Sequence, residues 1–102
     1  MKDSVVDGTK YGVRITREFK KDLKRVSKQG KNMEKFDYVV TKIANGEELE
    51  DKYRNHYLID NKKYRGCMEC HIEPDWLLVY KIVKDELILL LINTGSHSSI
   101  FK

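Results

Sequence analysis

The first half of the chain spaces its apolar residues as helices do. Phe19, Leu23 and Val26 lie four and three positions apart, so they share one face of a helix. Thr16 can cap the start of that helix and Gly30 favours its end. A second helix is predicted between Asn32 and the Asn45-Gly46 pair. Its apolar stripe consists of Met33, Phe36, Val40 and Ile43, with Val39 beside it. The two helices should form a hairpin with one shared apolar side.

From Lys63 onward the pattern becomes that of β-strands. Strands are predicted over 64–72, 76–83 and 86–92, with Lys84-Asp85 as a tight hairpin turn. Short strands are expected over 11–15 and 98–101, and residues 47–61 should form a loop. The predicted fold is α+β, with an N-terminal strand and helical hairpin packed on a four- to five-stranded, mainly antiparallel sheet. Residues 1–102 should form one domain, in which 1–10 are a loose lead-in.

Charge is unevenly distributed along the chain. The net charge is +4, but residues 10–42 carry eleven Lys or Arg against four Asp or Glu, while residues 43–60 carry two against five. The first helix is therefore basic. Such a face either keeps a protein soluble or binds nucleic acid. The candidate docking residues on it are Lys20, Lys21, Lys24 and Lys28.

The N-terminal residues contain no apolar core of an export signal, and the longest apolar run, 87–92, is too short to span a bilayer. We therefore expect a cytoplasmic protein with reduced cysteines. This bears on the C-x-x-C-H pattern over 67–71. Haem attachment would need export, and in a strand Cys67 and Cys70 point to opposite faces. Two ordinary thiols are expected, with no metal and no cofactor.

The three histidines, His56, His71 and His97, all lie in the C-terminal half. Imidazole exchanges protons near neutral pH. His71 and Asp75 flank Pro74 at a predicted turn, which places a carboxylate beside an imidazole as an acid–base pair requires. A hydrogen bond that steadies the turn is the structural alternative. His97 lies in a polar loop over 93–99, where function often resides.

Further residues suit an RNA substrate. Trp76 and Phe101 could stack on unpaired bases, with filling of the core as the alternative. Lys62, Lys63 and Arg65 could contact phosphates. Each histidine taken singly has an ordinary explanation, but the three lie on segments that an antiparallel sheet could bring to one edge.

The motifs H-I-E-P-D-W-L-L-V-Y over 71–80 and T-G-S-H over 94–97, with Phe101, resemble the YafQ branch of the RelE/ParE toxin superfamily. The likeness covers about residues 11–102. It implies the toxin of a type II toxin–antitoxin pair, a ribosome-dependent endoribonuclease that cuts mRNA in the A site. Glu69 stands where the family often has an acidic residue. The residues that matter in the family correspond to His56, His71, Asp75, Trp76, His97 and Phe101.

The mechanism expected from these residues needs no metal. The 2′-hydroxyl of RNA attacks the adjacent phosphate, and His97 and His71 share the acid–base work. Asp75 would orient a histidine and His56 would assist, while the basic helix docks on ribosomal RNA. The expected partners are a cognate antitoxin and the ribosome with its mRNA; operator DNA would be contacted only through the antitoxin. The alternative is a ParE-like toxin that binds DNA gyrase and cuts no RNA.

Overall fold

The computed structural model describes residues 9–101, so most of the predicted lead-in lies outside the described residues. Five strands form one sheet in the order β1-β5-β4-β3-β2. All neighbouring strands are antiparallel except β1 and β5, which are parallel. The predicted α+β fold is confirmed. The elements are β1 (Gly12–Ile15), α1 (Arg17–Lys28), α2 (Met33–Ala44), β2 (His56–Tyr57), β3 (Met68–Glu73), β4 (Trp76–Val83), β5 (Ile88–Gly95) and α3 (His97–Ile100).

The helical hairpin begins and ends where the sequence predicts. The Thr16 hydroxyl accepts a hydrogen bond from the backbone N–H of Phe19 and caps α1. The Asn32 side chain caps α2 by accepting from the N–H of Glu34. Gly30 and Gly46 follow the two helices with positive φ angles of 83° and 79°, a conformation that glycine adopts without steric cost.

The sheet separates two apolar clusters. On one face, α1 and α2 pack on the sheet through a core that includes Phe19, Val39, Cys70 and Leu78. On the other face a smaller cluster forms between the sheet, the segment 58–67 and α3. It contains Tyr64, Cys67, Leu77, Val79 and Ile100. Alternation along β3 puts Glu69 and His71 on this second face, away from the hairpin.

Several predicted boundaries are wrong. Strand β3 begins at Met68 rather than at residue 64, because 62–66 form a turn. The β4–β5 connection is a 3-10 turn, Lys84–Glu86, followed by Leu87 with φ of 53°, so it is longer than a two-residue hairpin. Strand β5 continues to Gly95, and 98–100 belong to the helix α3 instead of a strand, with Phe101 directly after it.

The predicted loop 47–61 contains two short elements. A 3-10 turn covers Asp51–Tyr53, and His56–Tyr57 pair with β3 as the edge strand β2. Two residues carry too little periodicity to be recognised from sequence. Within the described part of the chain, no helix is long and apolar enough to cross a membrane.

Candidate functional site

Two of the three histidines meet at a single buried carboxylate. His56 pairs with Glu69 across β2 and β3, and His71 lies two positions after Glu69 on β3. Oε1 of Glu69 is 3.3 Å from Nε2 of His56 and 3.6 Å from Nε2 of His71. The ring centroids of the histidines are 6.5 Å apart. The arrangement is a histidine–carboxylate–histidine cluster on the face opposite the hairpin.

The other ring nitrogens of this cluster are occupied by backbone carbonyls. Nδ1 of His56 is 2.6 Å from the Arg54 carbonyl oxygen, and Nδ1 of His71 is 3.2 Å from that of Pro74. A carbonyl only accepts hydrogen bonds, so each Nδ1 must carry the donated hydrogen. Each ring therefore directs its Nε2 atom at the Glu69 carboxylate.

Glu69 joins the two histidines, although its place in the sequence indicated only that the family often has an acidic residue there. Its side chain is 6% exposed, whereas those of His56 and His71 are 48% and 23% exposed. Its Oε2 atom is buried and has no hydrogen-bond partner. A buried carboxylate is costly unless charges or donors compensate it, so Glu69 depends on its two histidines. The available signal was an acidic residue two positions before His71, which places both on one face of a strand.

His97 reaches the site on the short helix α3. Ser96 caps that helix by accepting from the N–H of Ser99. The N–H of His97 donates to Oδ1 of Asp75 at 3.3 Å. Asp75 thus binds the backbone of His97, and the carboxylate beside the His71 ring is Glu69. The expectation that Asp75 orients the His71 ring is corrected on this point.

Strand register brings His97 and His71 to one end of the sheet. Leu77 pairs with His71 on one side and with Gly95 on the other. Adjacent strands are about 4.8 Å apart, so the backbones of His71 and Gly95 are separated by roughly 10 Å. His97 follows Gly95 by two residues. The backbones at His71 and Gly95 therefore lie at the same end of the sheet, on either side of β4.

The proposed stacking role of Trp76 is wrong. Its side chain is fully buried in the core under the hairpin. Its indole Nε1 donates to Oγ1 of Thr94 at 2.9 Å. Filling of the core was the alternative, and the structure supports it. Phe101 differs, because it is only partly buried and its ring lies 5.0 Å from that of His97 and 5.8 Å from that of Tyr64.

The predicted cationic residues lie in two places. Lys62, Lys63 and Arg65 are exposed on the segment between β2 and β3, which covers the face that carries the histidines. Lys20, Lys21, Lys24 and Lys28 are exposed on α1, in the layer on the opposite side of the sheet. Lys21 and Lys63 nevertheless line one pocket with Tyr64 and Ser99, so the two cationic groups meet beside Asn93 of β5.

The cysteines behave as predicted. Both are free and buried, Cys70 in the core under the hairpin and Cys67 in the cluster on the other face. Burial raises the pKa of the Cys70 thiol to about 12 and also raises the pKa of Cys67. Among residues 9–101, no group of three or more His, Cys, Asp or Glu is arranged to hold a metal ion.

The topology, with its helical hairpin on one face of the sheet and histidines on the other, defines the class of small bacterial toxins with this α+β fold. Their solved structures superpose on the chain with TM-scores near 0.8. The chain belongs to the YafQ family, described as bacterial toxins of type II toxin–antitoxin systems, whose family model matches residues 11–102. By family it is a toxin, and two of its relatives are named mRNA interferase toxins.

Individual relatives support this membership. The mRNA interferase toxin YafQ of Escherichia coli strain B is 34% identical over 85 residues, which cover 82% of this chain and 88% of the relative. A toxin from Helicobacter pylori, solved with bound metal, has a TM-score of 0.81 and 39% identity over 87% of this chain and 97% of its own. The toxin–antitoxin complex DinJ–YafQ of E. coli has a TM-score of 0.80 and 30% identity, over 91% of this chain and 99% of its own.

Proposed function

We propose that this toxin is a ribosome-dependent endoribonuclease that cleaves mRNA in the A site and so stops translation. The observation that carries the proposal is the cluster of His56 and His71 around buried Glu69, with His97 at the same end of the sheet. Groups that exchange protons are thereby held on a surface that RNA can reach. The names of the curated relatives, mRNA interferase toxins, support the substrate class.

The proposed reaction is attack of a 2′-oxygen on the adjacent phosphorus. A base takes the 2′-hydroxyl proton, the bond from phosphorus to the 5′-oxygen breaks, and an acid gives that oxygen a proton. The products are a 2′,3′-cyclic phosphate and a 5′-hydroxyl. His97 and His71 share these two roles, each worth about 10²–10⁴-fold in rate. Glu69 orients the His71 ring for this work, and His56 shares that carboxylate.

The remaining residues position the RNA. Phe101, with its ring beside His97, offers a surface on which a base can stack. Lys62, Lys63 and Arg65 supply positive charge for phosphates on the same face. Lys20, Lys21, Lys24 and Lys28 on α1 dock on ribosomal RNA. No metal ion is required by this scheme.

The proposed partners are a cognate antitoxin and the translating ribosome in the cytoplasm. The solved complex of the E. coli relative with DinJ supports an antitoxin partner. An antitoxin segment that folds on the toxin surface would cover basic and apolar positions. Contact with operator DNA would then come from the antitoxin rather than from this chain.

Primer extension on cellular mRNA after induction tests this proposal, with plasmid supercoiling measured in the same cells. Cuts within translated codons are expected, and they should be absent when ribosomes are withheld in a purified system and unchanged when the toxin has first been treated with EDTA and dialysed. Intact mRNA with altered plasmid topology would instead establish the ParE-like alternative. Cleavage that is lost after EDTA treatment and dialysis of the toxin alone, and that returns with an added transition metal at constant Mg²⁺, would contradict the metal-free mechanism.

A further inference from the structure

The end of β5 is held by one ion pair on α1. Oδ2 of Asp22 accepts a hydrogen bond from the backbone N–H of Thr94 at 3.1 Å. Nη2 of Arg25 donates to the carbonyl oxygen of the same residue at 3.1 Å. Arg25 and Asp22 are joined at 3.0 Å through Nη1 and Oδ1. Both backbone polar groups of Thr94 are therefore bound by two side chains one helical turn apart.

The topology explains why side chains are needed there. Strand β1 pairs with β5 only as far as Ile15 and Leu91. The backbone N–H of Thr16 donates to the Leu91 carbonyl oxygen and its hydroxyl donates to that of Ile92, after which the chain turns into α1. The next N–H and C=O on this edge of β5 have no strand beside them. Buried backbone groups must find partners, and Asp22 and Arg25 replace the missing strand.

The side chain of Thr94 is fixed from the opposite side. Thr94 is fully buried, and its hydroxyl donates to the Leu77 carbonyl oxygen at 2.7 Å and accepts from the indole of Trp76. The side-chain amide of Asn93 also donates to Asp22, at 2.8 Å. Thr94 is thus bonded through both its backbone and its side chain.

The guanidinium of Arg25 also contacts the start of the loop that carries His97. A Cβ atom added to Gly95 would lie 2.8 Å from Nη2 of Arg25 and 2.5 Å from Oγ of Ser99. A side chain at this position would displace the Arg25 guanidinium or the Ser99 hydroxyl, so glycine leaves room for both. Ser96 then caps α3, and His97 follows. Only two residues, Gly95 and Ser96, separate His97 from Thr94, the residue that the ion pair binds.

We propose that Asp22 and Arg25 are positioning residues for His97: they fix the backbone from which α3 presents its imidazole. This inference rests on the proposed catalytic role of His97. Neither residue needs to touch RNA. A displacement of about 1 Å at a catalytic group can cost as much as 10²-fold in rate, so loosening this anchor should lower the rate of the chemical step.

A charge-reversed variant, Asp22→Arg with Arg25→Asp, separates positioning from helix stability. It keeps the net charge and the ion pair on the helix, but it presents a donor to the N–H of Thr94 and an acceptor to its C=O. We expect kcat on ribosome-bound mRNA to fall about 10–100-fold, with KM within about twofold of wild type. Lys24→Ala, which removes an exposed charge from the same helix, should raise KM instead.

Hydrogen exchange at the Thr94 amide measures directly whether Asp22 still binds the Thr94 N–H. Exchange should become faster in the charge-reversed variant, and Arg25→Lys, which keeps one donor, should recover part of kcat and of the protection. If the double variant does not fold, Arg25→Gln provides the same comparison. Wild-type kcat in a folded variant whose Thr94 amide has lost its protection would overturn the inference. A wild-type toxin that cuts no RNA would overturn the proposed function instead.

Discussion

Nε2 of His71 lies 3.6 Å from Oε1 of Glu69, a carboxylate on the same strand that is almost completely removed from solvent. Because Nδ1 of the ring is directed at a backbone carbonyl, the imidazole has a fixed orientation and one free nitrogen. That nitrogen faces the carboxylate. This pair, together with His56 on the other side of Glu69, is the basis of the proton-transfer account.

Glu69→Gln should lower the cleavage rate by about 10–100-fold, less than the loss of a catalytic histidine itself. The neutral amide preserves the shape of the side chain but no longer attracts a positive imidazole, and one of its two polar atoms is a donor. Single-turnover cleavage of ribosome-bound mRNA measures the effect.

Glu73→Gln is the matched control for that substitution. Glu73 lies on the same strand and binds Lys35 at 3.0 Å, on a partly exposed surface. Exposed ion pairs contribute little to stability, so its activity and unfolding should be close to wild type. Equal rate losses in the two variants would show that Glu69 has no special role.

Trp76→Phe should destabilise the protein by about 1–3 kcal/mol. The substitution removes the indole donor to Thr94 and leaves unfilled volume in a fully buried site. Denaturant unfolding measures the loss. KM for ribosome-bound mRNA should be unchanged, because no part of the ring reaches solvent. A raised KM with wild-type stability would restore the base-stacking role.

Replacing Lys20, Lys21, Lys24 and Lys28 by glutamate should abolish ribosome binding at physiological salt. All four side chains are exposed on α1, and cationic contacts to phosphates dominate such binding and weaken steeply with salt. Sedimentation with ribosomes at two salt concentrations checks this expectation. Unchanged binding in this variant would exclude α1 as the docking surface.

Neither cysteine should react with iodoacetamide at pH 8 in the folded protein. Burial raises the pKa of both thiols, to about 12 for Cys70, and a thiol reacts as its thiolate. Since the raised pKa disfavours the charged form, reactivity should appear only at much higher pH or on unfolding. Mass spectrometry counts the labelled thiols. Rapid labelling of Cys70 at pH 8 would contradict its burial.

Elements with a long periodic pattern were predictable from sequence. Both helices of the hairpin have apolar residues at helical spacing and a polar cap, and the alternating and β-branched residues of 76–83 defined β4 to the residue. The elements that were missed, β2 and α3, are two and four residues long. In such short segments, pairing with β3 and packing on the sheet decide the structure, and local pattern does not.

In the candidate site too, local sequence pattern identified some residues, whereas long-range pairing decided the contacts of others. The histidines were identifiable by residue type, and the motif around His71 resembled a family. Which carboxylate serves which histidine depended on strand register, which pairs His56 with Glu69. The contacts of Asp22 and Arg25 with Thr94 join residues about 70 positions apart, and no local pattern contains them.

The most direct test of the central claim is single-turnover cleavage of ribosome-bound mRNA by His97→Ala. The account predicts a rate lower by about 10²–10⁴-fold, with ribosome binding and thermal unfolding close to those of the wild type because His97 is exposed. Cleavage by His97→Ala at the wild-type rate would contradict the account.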